Sequence, residues 1–260
     1  MGILNVTNDS FSDGGLFVDL ESAKRQAEQM IHEGAHIIDV GGESTRPGAA
    51  PVSEQQELDR VIPIIEYLSD AIDVSIDTSK ARVMTEAVEA GAALINDVCA
   101  LQMDGALAAA AAAHVPVCLM HMQGSPRTMQ HNPSYADVTA DVYQFFEERI
   151  KACDIAGISR ELLILDPGFG FGKTSAHNVA LLRNISAFEK LDLPILAGLS
   201  RKSLIAEVIN KPAHERVIAS VALAMLAWQN GASIIRVHDV AETSEALTMC
   251  HYIKSFQGEG

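Results

Sequence analysis

Basic residues are scarce in this 260-residue chain: 19 Lys and Arg stand against 34 Asp and Glu, a formal net charge of −15. So acidic a chain does not bind nucleic acid or an anionic membrane through bulk charge. Positive charge for an anionic ligand must therefore be local. Cysteine is also sparse. Cys99, Cys118, Cys153 and Cys250 form no C-x-x-C pair and are too few and scattered for a disulfide framework. They read as reduced thiols of a cytoplasmic protein. Long apolar runs are missing too. The stretches 106–113 and 220–228 are too short to span a bilayer. The N-terminus has neither a basic start nor a long apolar core, so it is not a signal peptide. Val6 stands where an N-myristoylation motif needs Ser or Thr. No Ser/Gly-rich, Pro-rich or long charged segment divides the chain, so a single domain over residues 1–260 is expected.

What the chain does have is a recurring phrase. His32-Glu33-Gly34-Ala35-His36-Ile37-Ile38-Asp39-Val40 resembles Glu89-Ala90-Gly91-Ala92-Ala93-Leu94-Ile95-Asn96-Asp97, and both resemble Gln229-Asn230-Gly231-Ala232-Ser233-Ile234-Ile235-Arg236-Val237. Each is a helix end, a glycine suited to the left-handed position after a helix, and a short apolar strand ending on a polar residue. Such strands suit a parallel sheet covered on both faces. Following the rhythm gives strands over Gly2–Val6, His36–Gly41, Val74–Asp77, Ala93–Asp97, Val115–His121, Leu162–Asp166, Pro194–Gly198 and Ser233–His238. Helical spacing fills Ser22–Glu33, Ser53–Asp70, Lys80–Ala90, Gly105–Ala113, Tyr135–Ala156, Ala176–Leu191, Arg201–Asn230 and Glu242–Phe256, with Lys211-Pro212 interrupting the seventh. Eight βα units in 260 residues, about 32 each and near the minimum for a crossover, predict an α/β fold of the (β/α)8 TIM-barrel type. An open doubly wound sheet is the alternative, because periodicity does not report closure.

A barrel of this kind carries its site at the C-terminal ends of its strands. Here those ends read Asn5, Glu43-Ser44-Thr45-Arg46, Asp77, Asn96-Asp97, His121, Asp166, Ser200-Arg201-Lys202 and Arg236-Val237-His238. Any one could be a helix cap, and for Asp77 capping is as good a reading as function. Eight polar ends together are not explained by capping. Arg236 and His238, two apart, would point the same way. The loop Asp166-Pro167-Gly168-Phe169-Gly170-Phe171-Gly172-Lys173-Thr174 has three residues between Gly168 and Gly172, where a P-loop needs four, and it fails the dinucleotide pattern as well. It reads as a flexible backbone wall beside Asp166. Phe11, in the polar turn after the first strand, suits closure over a ligand. There is no H-E-x-x-H motif, and Cys118 and His121 fall on opposite faces of one strand. The oxygen-rich polar set suits Mg2+ shared with a phosphate. Arg46, Arg201, Lys202, Arg236 and His238 would concentrate positive charge at one mouth.

On these residues the chain resembles the dihydropteroate synthase family. Gly2-Ile3-Leu4-Asn5-Val6-Thr7, Asp9-Ser10-Phe11-Ser12-Asp13-Gly14-Gly15 and Asp39-Val40-Gly41-Gly42-Glu43-Ser44-Thr45-Arg46-Pro47-Gly48 resemble its two signature segments. Ser75-Ile76-Asp77-Thr78, Ile95-Asn96-Asp97, Leu119-Met120-His121-Met122, the segment 165–173, Ser200-Arg201-Lys202-Ser203 and Ile235-Arg236-Val237-His238-Asp239 follow in the family's order along the whole chain. Asn8 departs from the family's usual proline, and the family tends to carry an extension before the first strand, whose lack would leave the barrel bottom without a plug.

The resemblance implies a barrel, usually homodimeric and Mg2+-dependent, that joins p-aminobenzoate to a dihydropterin pyrophosphate, giving 7,8-dihydropteroate and pyrophosphate for folate synthesis. Sulfonamides, which mimic p-aminobenzoate, would compete. Asp77, Lys202 and Arg236 are then the catalytic set. Asp166, aided by Asn96, would accept the pterin's paired donors, and Lys202 would donate to its carbonyl region, with Asp77 and Arg236 completing the pterin site. Asn5, Thr45, Arg236 and His238 would hold pyrophosphate, with Asn5 on the metal. Phe11, Thr45, Arg46, Pro47, Phe171, Ser200 and Lys202 would meet p-aminobenzoate. Two other readings compete. A folate-dependent barrel that passes a methyl group to a corrinoid protein explains Asp77, Asn96 and Asp166 but not the Arg236-Val237-His238 end. A non-catalytic pterin-binding protein would not need polar ends on all eight strands. The segment from Arg216 to Trp228 is apolar nearly all round, which points to burial under the last helix or in a homodimer.

Overall fold

The computed structural model describes residues 1–6, 16–44, 50–125 and 128–256. The strands are β1 (Gly2–Asn5), β2 (Ile37–Gly41), β3 (Asp73–Asp77), β4 (Leu94–Asp97), β5 (Val117–Met120), β6 (Leu163–Asp166), β7 (Leu196–Ala197) and β8 (Ile234–Ile235). β1 to β6 form one parallel ladder in chain order, and β7 pairs with β8. Two parallel bridges join these pieces: Leu165 with Ile195, and Gly2 with Val237. Leu165 N–H donates to Pro194 O at 2.9 Å, Ile3 N–H to Val237 O at 2.9 Å, and Val237 N–H to Met1 O at 3.0 Å. The sheet therefore closes on itself, which decides for the (β/α)8 barrel over an open sheet. β7 and β8 are shorter than Pro194–Gly198 and Ser233–His238, because the ladder there is carried partly by single bridges.

The helices are α1 (Leu16–His32), α2 (Glu54–Leu68), α3 (Ala81–Glu89), α4 (Ala106–Ala113), α5 (Val138–Ile155), α6 (Ser175–Arg183), α7 (Ser203–Val208), α8 (Val217–Gln229) and α9 (Val240–Ser255). Local signals set their ends. Ser53 and Gln56 form a reciprocal capping box at α2, and the Asp137 carboxylate accepts Thr139 and Ala140 N–H at α5. The repeated phrase does what its glycines require: Gly34, Gly91 and Gly231 follow helix ends at φ of 95°, 110° and 111°. Two expected helices are divided. The span 176–191 becomes α6 and a 3-10 segment, Ile185–Leu191, because Asn184 leaves helical geometry and its side chain donates back to Ala180 O at 2.8 Å. The span 201–230 breaks around Pro212, as proline dictates, and starts later because Arg201 sits at φ 60°. The first helix begins at Leu16 rather than Ser22.

The pleat separates two interiors. Ile38, Val40, Ile76, Ile95, Leu119 and Leu165 face outward and pack with Val61, Ile64, Ile65, Phe146 and Phe188 beneath the helices. Leu94, Cys118, Ile164 and Leu196 fill the barrel axis, with Met1 and Ile234 against them. These side chains fill the floor of the barrel. Parallel register aligns Ile3, Asp39, Ser75 and Leu94 in one inward row, and Asn5, Gly41, Asp77 and Asn96 in the next. The second row is the rim of the mouth.

Candidate active site

The strand ends converge on a cavity of about 1090 Å3, lined by Asn5, Asp77, Asn96, Asp166, Phe171, Ser200, Lys202, Arg236 and His238. Every expected site residue that lies within the described residues is therefore at one place. Phe11, Thr45, Arg46 and Pro47 lie outside the described residues, as does Asn8.

Arg236 is the hub. Its Nε donates to Asp39 Oδ2 at 2.6 Å, and its Nη2 donates to Asp77 Oδ2 at 2.8 Å. Asp39 Oδ2 also accepts Asn96 Nδ2 at 3.1 Å. Burial works against the Arg236 charge, but the two carboxylates more than offset this and hold its pKa above the usual value. Asp77 does not cap α3; Lys80 occupies that position, and no side chain bonds the first turn. Its carboxyl is pushed up to about 7 by burial, against the pull of Arg236. Gly41 lies between Asn5 and Asp77 in the rim; a Cβ there would come into ordinary contact with both, 3.7 Å from Asn5 Oδ1 and 3.8 Å from Asp77 Oδ2.

On the opposite wall Asp166 Oδ1 accepts Gly168 N–H at 2.7 Å. Burial raises the Asp166 pKa, while Lys202 works in the other direction. Burial likewise lowers Lys202 to about 8, although Asp166 favours its charge. Lys202 Nζ donates to Phe169 O at 2.5 Å and lies 4.7 Å from the centre of the Phe171 ring. Ser200 Oγ accepts His238 N–H at 3.2 Å and lies 3.0 Å from His238 Nδ1. Burial, then the Arg201 and Arg236 charges, lower His238 to about 4, so the imidazole is neutral near pH 7.

Three expectations need correction. The mouth is not a free basic patch among the described residues. Arg201 pairs with Asp239, and Arg236 is shared by two carboxylates. Asp97 is structural, accepting Ser79 Oγ at 2.5 Å, Cys99 N–H at 2.8 Å and Leu101 N–H at 2.7 Å. His121 turns away from the cavity, its ring edge-on to Phe145 at 4.8 Å and its Nδ1 2.9 Å from Lys173 Nζ. Asp39 was missed. It is fully buried, and its Oδ1 has no hydrogen-bond partner. Its signal was there: a lone carboxylate inside the apolar run Ile37-Ile38-Asp39-Val40, two residues before Gly41 and so on the same face. Val98 and Met120 supply apolar wall that polar strand ends do not advertise.

Comparisons with known proteins agree with this geometry. Residues 1–238 match the family described as pterin binding enzyme. A dihydropteroate synthase of Escherichia coli K12 is 54% identical over 249 residues, covering 95% of this chain and 88% of that protein. The structure of a Yersinia pestis dihydropteroate synthase with a sulfonamide drug complex aligns with a TM-score of 0.94 at 54% identity, covering 98% of this chain and 94% of that one. A Xanthomonas albilineans dihydropteroate synthase with 4-aminobenzoic acid aligns with a TM-score of 0.93 at 49% identity, covering 99% and 93%.

Proposed function

The chain belongs to the pterin-binding enzyme family, and from that premise we propose how its barrel mouth performs the reaction of a dihydropteroate synthase. The chain condenses (7,8-dihydropterin-6-yl)methyl diphosphate with p-aminobenzoate, giving 7,8-dihydropteroate and diphosphate. Sulfonamides compete with p-aminobenzoate for it. The observation that carries the residue assignment is the single cavity shared by Asn5, Asp77, Asn96, Asp166, Lys202, Arg236 and His238.

Asp166, aided by Asn96, accepts the N–H and amino donors of the pterin edge, and Lys202 donates to the pterin carbonyl side. Arg236 lies between the pterin and diphosphate positions. The C–O bond to diphosphate breaks with its electron pair leaving on oxygen, and ionised Asp77 stabilises the methylene cation that remains. Arg236 and His238 take up the departing charge, together with Thr45. The amine lone pair of p-aminobenzoate then forms the C–N bond, and the proton of the resulting ammonium passes to solvent water at the open mouth. Phe171, Ser200 and Lys202, with Phe11, Thr45, Arg46 and Pro47, receive the benzoate ring and carboxylate.

Mg2+ fits the donor set. No group of three or more His, Cys, Asp or Glu able to hold a metal occurs among the described residues. The neutral Asn5 amide oxygen, which lines the cavity, suits a hard ion that would keep most of its shell as water and phosphate oxygens. When bound there, the ion neutralises charge on the leaving diphosphate.

No helix among the described residues is long and apolar enough to cross a membrane. A cytoplasmic location is supported by four free cysteines. A homodimer is supported by apolar groups exposed on α8 and α9, namely Ile218, Leu226, Met249, Tyr252 and Ile253, with Phe256 just after α9, although α9 covers Trp228 through His251 and Lys254. A corrinoid-linked methyl transfer, or a pterin-binding protein without chemistry, leaves Lys202, Arg236 and His238 at the mouth without a task. The test is pyrophosphate release from dihydropterin pyrophosphate and Mg2+. Release that depends on p-aminobenzoate is expected, and release indifferent to it, or none, refutes the proposal.

A further inference from the structure

The glycine-rich loop after β6 is held far more tightly than its composition suggests. Gly168 O and Phe171 O each accept Lys173 Nζ at 3.0 Å, and His121 O at the end of β5 accepts it at 3.2 Å. His121 Nδ1 makes a fourth contact at 2.9 Å. The remaining carbonyls are also held. Phe169 O accepts Lys202 Nζ, Gly170 O accepts Gln130 Nε2 at 2.6 Å, and Gly172 O accepts Tyr135 Oη–H at 2.7 Å. The backbone folds where only glycine fits. Gly168 is at φ 68°, and a Cβ there would meet His121 O at 1.8 Å. The expectation of a flexible wall is thus reversed.

Lys173 is only 3% exposed, and none of its hydrogen-bond partners is a carboxylate. Three carbonyl oxygens that converge on one point repel each other, so the loop needs a positive centre. The ammonium acts as the bound cation of that small cage. Three carbonyl oxygens and the His121 ring nitrogen thus enclose the Lys173 nitrogen, although burial lowers its pKa to about 7.

We infer that Lys173 is a positioning residue: by clamping residues 168–172 against the end of β5, it aims Asp166 and Lys202 at the pterin. The path is direct. The clamped loop presents Gly168 N–H to Asp166 Oδ1, and it presents Phe169 O and the Phe171 ring to Lys202 Nζ. The groups assigned to diphosphate, Asn5, Arg236 and His238, come from β1 and the residues just after β8 and make none of the clamp's hydrogen bonds.

The inference rests on the proposed pterin role of Asp166 and Lys202, and the experiment separates the two. Calorimetry with a dihydropterin alcohol lacking diphosphate, and separately with inorganic pyrophosphate, is run on the intact chain, Asp166→Asn and Lys173→Met. Lys173→Met is expected to lose pterin affinity by about tenfold or more, the scale of a misplaced binding group, with pyrophosphate affinity within about twofold. Unchanged pterin affinity, or a parallel loss of both ligands, overturns the positioning role. Unchanged pterin affinity in Asp166→Asn overturns the pterin assignment instead. Should Lys173→Met fail to fold, Tyr135→Phe removes one hydroxyl from the loop's far end. It should lose pterin affinity by about two- to threefold with pyrophosphate unaffected. No loss, or equal loss of both ligands, overturns the inference.

Discussion

The two groups closest to the proposed chemistry titrate around neutrality from opposite sides, and this sets the pH profile. Asp77 must be ionised to stabilise the methylene cation, and burial places its pKa at about 7. Lys202 must be protonated to donate, and burial places it at about 8. Activity should therefore fall as pH drops through the first value and as it rises through the second. The active protonation state holds about three fifths of the molecules near pH ~7.5 and about one tenth at pH ~6 and pH ~9. The assay is kcat/KM for the pterin diphosphate, which reports the free enzyme, followed by pyrophosphate release from about pH 5.5 to about pH 9.5 at fixed ionic strength. Because Asp77 shares Arg236 with Asp39, the acid limb belongs to the cluster and needs a variant to assign it. Asp77→Asn should abolish that limb and cut turnover by about 100-fold or more, while weakening pterin binding far less. A profile flat across this range, an acid limb that survives in Asp77→Asn, or near-normal turnover in that variant would refute the reasoning.

Other outcomes follow from the same contacts. Arg236→Ala should weaken pyrophosphate binding by about tenfold or more on calorimetry, since a buried hydrogen-bonded charge is lost; unchanged affinity would contradict the hub. Lys80 pairs with Glu57, which is 1% exposed and has one oxygen unpartnered, so Lys80→Met strands a buried carboxylate. Denaturant unfolding should show a loss of about 3–5 kcal/mol, largely recovered by adding Glu57→Gln. Phe146, fully buried edge-on to Phe188 at 5.6 Å, should cost about 3–5 kcal/mol as Phe146→Ala in the same assay, without moving the pH profile.

Much of the architecture was legible because its signals are local. The glycine phrase marks three of the helix-to-strand passages, and polar residues gathered at the ends of all eight strands point to the barrel mouth. Asp77, Asn96, Asp166, Lys202 and Arg236 were all readable on that ground. What escaped depends on partners distant in the chain. Nothing near Arg201 announces Asp239, 38 residues away, as its partner. Asp97 looks like Asn96's neighbour in function, yet the pleat turns it outward to organise the turn after β4. The loop 168–172 looks slack because its glycines are visible and its clamps, Tyr135, Gln130 and a lysine folding back on itself, are not. Asn184 ended a helix that apolar spacing alone would continue, because its side chain competed for the backbone carbonyl.

The closure of the barrel also bears on how the molecule is made. β1 finds its second neighbour only in Val237, and the Met1 ammonium reaches Ile235 O across a separation of 234 residues. On the ribosome, a nascent chain that has extruded its first seven units presents β1 as an unpaired, apolar edge. That edge stays open until the last strand emerges. The same strand delivers Arg236 and His238, so ring closure and assembly of the site are a single late event. A stalled or truncated product is therefore exposed to edge-to-edge aggregation and, for one and the same reason, lacks Arg236 and His238, two of the groups proposed to hold diphosphate.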